Sequence, residues 1–132
     1  MTIQATGNYH FAEVVAAPGS PLLLLFHGTG GNENDLIDLG RQLMPEAHLI
    51  APRGDVSEGG ALRFFRRTGE GVYDMADFAR ATAKMTQFVA QQAERLEPSS
   101  VAALGYSNGA NILASVLFDA PGRIDRAVLM HP

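Results

Sequence analysis

The stretch Val101-Ala102-Ala103-Leu104-Gly105-Tyr106-Ser107-Asn108-Gly109-Ala110 runs from an apolar segment, through a G-x-S-x-G pentapeptide, into a helix-favouring segment that continues to Phe118. Strand, sharp turn and helix are the three parts of a nucleophile elbow. A serine on so tight a turn is held in a strained backbone conformation, and side chains at Gly105 and Gly109 would collide with it or with neighbouring strands. Ser107 is therefore the candidate nucleophile.

Upstream, strand and helix signals alternate. A strand is expected around Tyr9 to Val15, followed by a turn at Ala17-Pro18-Gly19-Ser20-Pro21. Leu22 to Phe26 is a continuous apolar run of the kind found in the middle of a parallel sheet. His27-Gly28-Thr29-Gly30-Gly31 forms a loop, and Leu36, Ile37, Leu39, Leu43 and Met44 mark a helix capped at Asn34-Asp35 and ended by Pro45. His48 to Ala51 is a short strand, and an irregular Gly-rich stretch follows to about Gly71. Phe78, Ala81, Met85, Phe88, Val89, Gln92 and Leu96 lie on one face of a long helix closed by Glu97-Pro98. After the elbow and its helix, Ala127 to Met130 forms a last strand. This order predicts an α/β fold in one domain, residues 1–132, with a mostly parallel central sheet and helices on both faces.

Composition limits the function classes. The chain has 132 residues, 46% of them hydrophobic, which suits a single core. Its formal charge of −4 and the absence of any basic run longer than Arg66-Arg67 argue against nucleic acid as a partner. There is no cysteine, hence no disulfide framework or thiolate metal site, and the N-terminus lacks a secretory pattern. A cytoplasmic protein without membrane association is expected, since the longest apolar run falls far below the ~20 residues that span a bilayer.

Three motifs occur in order: Phe26-His27-Gly28-Thr29-Gly30-Gly31-Asn32-Glu33-Asn34-Asp35-Leu36, then Ala51-Pro52-Arg53-Gly54 with Phe64-Phe65-Arg66-Arg67, then the elbow at 105–109. Together they resemble the α/β-hydrolase superfamily and, more narrowly, the phospholipase/carboxylesterase family. The resemblance implies a serine hydrolase acting on small-molecule carboxylic esters with no metal or organic cofactor. It assigns the oxyanion hole to the backbone N–H groups of Thr29 and Asn108, the latter at the start of a helix whose dipole favours negative charge. His27, Gly28, Gly30, Gly105 and Gly109 support the loop and the elbow. The family places its acid after the next strand and its histidine after the one following, so the resemblance also implies a hydrolase domain incomplete at its C-terminus.

Within the chain, Ser107, Asp125 and His131 have the order of a triad, but topology separates them. Asp125 precedes the last strand and lies about 17 Å from the elbow end of the sheet, the length of a five-residue strand. Asp119 ends a helix that has run back the same way. His131 follows a strand next to that of Ser107, at the same end, and is read as a pocket wall, with a serine–histidine pair the lesser alternative because a strand-end imidazole before Pro132 has little freedom to swing over the hydroxyl. His27 is read as a structural residue, and His10 and His48 as surface or packing residues. A dinucleotide-binding reading of the Gly28 to Gly31 loop fails at Glu33, where a third glycine would be required. Phe64, Phe65 and Tyr73 are candidate walls of a substrate pocket, with capping of the core the equal alternative. Arg66 and Arg67 read as solvated surface, or else as attracting an anionic substrate group. The strand at 127–130, an exposed edge here, is expected to promote self-association. The competing functional reading is a catalytically inactive hydrolase-like binding or interaction module.

Overall fold

The computed structural model describes residues 2–69 and 72–132. Its central sheet comprises β1 (Ile3–Thr6), β2 (His10–Val14), β3 (Leu22–Phe26), β4 (His48–Pro52), β9 (Val101–Tyr106) and β10 (Arg126–Met130), in the spatial order β1-β2-β4-β3-β9-β10. β4, β3, β9 and β10 run parallel, as the alternating pattern requires. The sheet is mixed, because β2 pairs antiparallel with both β1 and β4. The single strand expected near Tyr9 is thus the second arm of a hairpin. Only Gly7, Asn8 and Tyr9 separate the arms, too few residues for anything but an antiparallel return. β1 escapes a reading based on apolar runs because Ile3-Gln4-Ala5-Thr6 is largely exposed.

β3 is buried along its whole length, and its alternation divides the protein into two cores. Leu22, Leu24 and Phe26 face α2 (Met75–Leu96) and α3 (Asn108–Asp119), where they meet Met85, Phe88 and Ile112. Leu23 and Leu25 face the opposite side, against Ile37 at the start of α1 (Ile37–Leu43) and Leu49 of β4. α2 buries Ala81, Met85, Phe88, Val89 and Gln92, the face its periodicity marks, and Asp74 caps it by accepting from the Asp77 N–H at 3.0 Å. α1 begins later than its cap signal suggests. Leu36 is its N-cap and makes no side-chain bond. The polar residues before it turn the chain instead, with Asn34 N–H donating to Asn32 Oδ1 at 2.8 Å and Asn32 N–H to Asp35 Oδ2 at 3.3 Å.

The segment expected to be irregular contains two small hairpins, β5 (Val56–Glu58) with β6 (Ala61–Arg63), and β7 (Arg67–Gly69) with β8 (Val72–Tyr73). Gly59 and Gly60 turn the first at φ 59° and 89°, values few other residues accept. The expected end of this stretch, at Gly71, lies outside the described residues. Arg80 on α2 holds the region down, bonding Asp77 at 2.7 Å and Asp55 at 3.0 Å. β10 pairs with β9 and forms the sheet edge, with Val128 and Leu129 exposed. Among the described residues no helix is long and apolar enough to cross a membrane.

Phe88, fully buried, stands edge-on to Tyr9 and Phe11, whereas Phe118 at the end of α3 is 88% exposed. Phe88→Ala should therefore cost about 3–5 kcal/mol in a urea titration. Phe118→Ala should stay within about 0.5 kcal/mol of the parent.

Candidate active site

β9 delivers the chain to the turn at Tyr106, and α3 takes it away at Asn108. Ser107 lies between them at φ 55°, ψ −116°, a conformation costing on the order of 1–3 kcal/mol that surrounding contacts must hold. Its N–H donates to the Met130 carbonyl at 2.8 Å, and its own carbonyl accepts from Asn111 N–H at 3.1 Å. The flanking glycines are required by contact. A Cβ on Gly105 would lie 2.6 Å from the Gly109 carbonyl oxygen; one on Gly109 would collide with the carbonyl of Phe26 and lie 2.5 Å from that of His27. α3 therefore rests directly on the end of β3, and the serine arrives beside the loop that leaves that strand.

That loop is fixed at several points. Gly28 passes so close to the elbow that a Cβ there would stand 2.9 Å from the Tyr106 ring and 3.4 Å from Ser107 Cβ. Gly30 N–H donates to the Leu62 carbonyl at 2.9 Å and Gly31 N–H to that of Gly28 at 3.0 Å. Among the described residues, the N–H groups of Thr29 and Asn108 donate to no protein acceptor, which leaves both free for an oxyanion. The Asn108 side chain faces inward, its Oδ1 accepting from Phe64 N–H at 2.7 Å while its buried Nδ2 has no partner.

The histidines have other duties. His27 Nδ1 donates to the Gly28 carbonyl at 2.7 Å and Nε2 accepts from Gly54 N–H at 2.9 Å, which uses both ring nitrogens and fixes a neutral tautomer. Burial pushes its pKa down, in keeping with that neutral state. His48 Nδ1 accepts from Ala16 N–H, and His10 bonds Gln4. His131, at φ 49°, packs edge-on to Tyr106 and lines the cleft that contains Ser107. Asp125 accepts from Val101 N–H at the start of β9, the end of that strand remote from Ser107. Among the described residues no hydrogen bond joins a histidine to the Ser107 hydroxyl.

The cleft has a volume of about 210 Å³ and includes Thr29, Ser107, Asn108 and Tyr73 in its lining. A larger hollow of about 730 Å³ lies next to it between α2 and α3, apolar along Phe78, Ala114 and Phe118. Tyr73 and Asn111 border both, joined by a bond from Asn111 Nδ2 to the Tyr73 hydroxyl at 2.8 Å. Phe64 and Phe65 line neither and are wholly buried, which removes the pocket-wall reading and leaves core capping. Phe64 stacks on His27 with ring centres 4.8 Å apart, and Phe65 packs on Tyr73 and Phe78. Both seal the core beneath the hairpins because the apolar side of that region has no other surface to cover.

Two polar features went unread in the sequence. Arg63 is buried at the cleft, donating through a terminal nitrogen to Thr29 Oγ1 at 3.1 Å and through Nε to the Phe65 carbonyl. Glu33 is buried and accepts both arms of Arg53, at 2.9 and 2.7 Å, which holds its carboxyl below the usual glutamate range. The arginines carry no local signal that distinguishes a buried guanidinium from a solvated one. Among the described residues no cluster of three or more His, Asp or Glu side chains is arranged to hold a metal ion.

The fold is shared with known proteins. The chain is 49% identical over 113 residues to the Bacillus subtilis protein named "Putative hydrolase MhqD", a match covering 84% of this chain and 56% of that protein. It superposes on the crystal structure of a protein of unknown function from Agrobacterium tumefaciens with a TM-score of 0.91 and 54% identity, over 95% of this chain and 61% of that one. A carboxylesterase from Bacillus cereus gives a TM-score of 0.81 and 38% identity, over 91% and 60% of the respective chains. No family model matches the chain. The chain has the α/β-hydrolase fold. Within that fold its similarity is to hydrolases and carboxylesterases, which supports a phospholipase/carboxylesterase-like family, and it spans less than two-thirds of the length of each of these relatives.

Gly109→Ala should destabilise the protein by at least about 3 kcal/mol in thermal or urea unfolding, because backbone rather than a flexible side chain must give way. Gly69, with nothing within 4 Å of an added Cβ, should accept alanine within about 0.5 kcal/mol. Glu33→Gln should cost about 1–2 kcal/mol at neutral pH, where the depressed carboxyl is ionised in both states and paired only in the folded one. That contribution is present above the ordinary glutamate pKa and fades as pH falls through the lower folded value. The gap between parent and variant in urea titrations should therefore shrink from about pH 5 downward.

Proposed function

We propose that the protein containing this chain is a serine hydrolase that cleaves carboxylic esters of small molecules through an acyl-enzyme on Ser107. The observation that carries this reading is the left-handed backbone of Ser107 between β9 and α3, with the unengaged N–H groups of Thr29 and Asn108 on the two segments that meet there. Ser107 Oγ bonds to the ester carbonyl carbon while a general base takes its proton, and the oxyanion is met by the two amides. Collapse breaks the bond to the alcohol oxygen, which receives that proton. Water then attacks the acyl-serine in the same manner, so that ester and water yield acid and alcohol and the serine is restored. The base and the acid that orients it are assigned to sequence outside these 132 residues. His27, His10 and His48 are engaged by other partners, His131 lies in the cleft wall against Tyr106 without a hydrogen bond to the Ser107 hydroxyl among the described residues, and Asp125 is bound at the far end of β9.

The small cleft favours compact soluble esters. A fluorophosphonate should label the whole protein at one serine, located to Ser107 by peptide mass spectrometry. Ser107→Ala should abolish labelling and reduce turnover by about 10⁴–10⁶ while leaving the fold intact. A folded whole protein that resists the reagent would instead speak for a hydrolase-like binding module.

A further inference from the structure

The cleft beside Ser107 is electrically lopsided. Among the described residues Arg63 and Arg67 both line it, and no carboxylate side chain does. The Arg63 side chain is only 4% exposed, and a guanidinium withdrawn so far from water needs compensation. Among the described residues the carboxylate within 4 Å of it is Glu58, at 3.7 Å, and Glu58 is already engaged by Arg67 at 2.9 Å through Nε and at 3.3 Å through its backbone N–H. Among the described residues two guanidinium groups thus share one carboxylate. The remaining bonds of Arg63 go to neutral oxygens, Thr29 Oγ1 and the Phe65 carbonyl. Burial lowers its pKa, which measures the solvation it has given up.

Asn108 also lines the cleft, but its side chain faces inward, held by the bond from Phe64 N–H to Oδ1 at 2.7 Å. The charge in the cleft wall therefore comes from the two arginines.

We propose that Arg63 and Arg67 form an anion-binding subsite beside Ser107, and that the ester cleaved there carries a carboxylate on its acyl or alcohol part. The planar two-oxygen carboxylate matches the guanidinium fork, and a cleft of about 210 Å³ suits a short dicarboxylate half-ester. The proposal deepens the esterase reading and rests on it for the substrate, but the subsite itself can be tested without the nucleophile.

In the whole protein, kcat/KM for the 4-nitrophenyl half-ester of glutaric acid, corrected for its spontaneous hydrolysis, should exceed that for 4-nitrophenyl pentanoate about tenfold or more. Arg67→Gln should lower this ratio about tenfold, and Arg67→Glu should invert it. Arg67 is the position of choice because its side chain is 37% exposed, so replacement spares the buried Arg63. A ratio near one in the parent, or one unmoved by both substitutions, would overturn the proposal. Calorimetry on the Ser107→Ala protein provides the arm that does not require turnover. Glutarate should bind, neutral glutaramide should not, and adding Arg67→Glu should remove the glutarate signal. Absence of glutarate binding sinks the subsite whatever Ser107 does, and inorganic phosphate binding as tightly as glutarate overturns the carboxylate assignment. Failure of fluorophosphonate labelling alongside intact glutarate binding would remove the esterase reading and leave the subsite standing.

Discussion

The contact of α3 with the end of β3 governs the rest of the structure. Gly109 sits against the carbonyl groups of Phe26 and His27, closer than any side chain allows. That approach sets the height of α3 over the sheet and brings Ser107 level with the loop that begins at His27. Parallel pairing of β3 with β9 fixes the same relationship along the strands, with Phe26 opposite Gly105. The strained backbone of Ser107 persists because both flanking elements are held independently, β9 by β3 and β10, and α3 by the apolar core beneath it.

Around this contact, hydrogen bonds from distant segments fix the loop that begins at His27. His27 receives the Gly54 N–H, Gly30 reaches the Leu62 carbonyl, Thr29 accepts from Arg63, and Asn108 accepts from Phe64. The hairpin β5/β6 and the segment leading out of it act as a brace. A loop with glycines at 28, 30 and 31 has high conformational freedom when unfolded, and the brace holds it in one arrangement. The neutral state of His27 belongs to the same arrangement, since a proton on Nε2 would break its bond to Gly54.

The electrostatics follow from this packing. Arg63 bonds both the loop after β3 and the Phe65 carbonyl, which brings its charge to the cleft beside Ser107 rather than to solvent. In a partly desolvated cleft a positive charge acts more strongly than at the surface. The apolar hollow between α2 and α3 opens next to this charged cleft.

Periodicity and local chemistry, read along the chain, determined the strand, turn and helix around Ser107, the fully buried β3, the face of α2 and the alternation of strands with helices. Each depends on residues close in sequence: alternation along a strand, 3.6-residue spacing along a helix, glycine at a turn. The same reading missed β1, whose four residues have no apolar signal, and took two hairpins for an irregular loop because their strands are two or three residues long. It left Phe64 and Phe65 undecided between core and pocket, and it could not find Arg63. Those outcomes depend on where the hairpins dock, and the bonds that dock them join residues 27, 34 and 44 positions apart. Local pattern tells a side chain which face of its own element it occupies. Only tertiary packing decides what lies opposite that face, and here it buried two phenylalanines in the core and one arginine beside the serine.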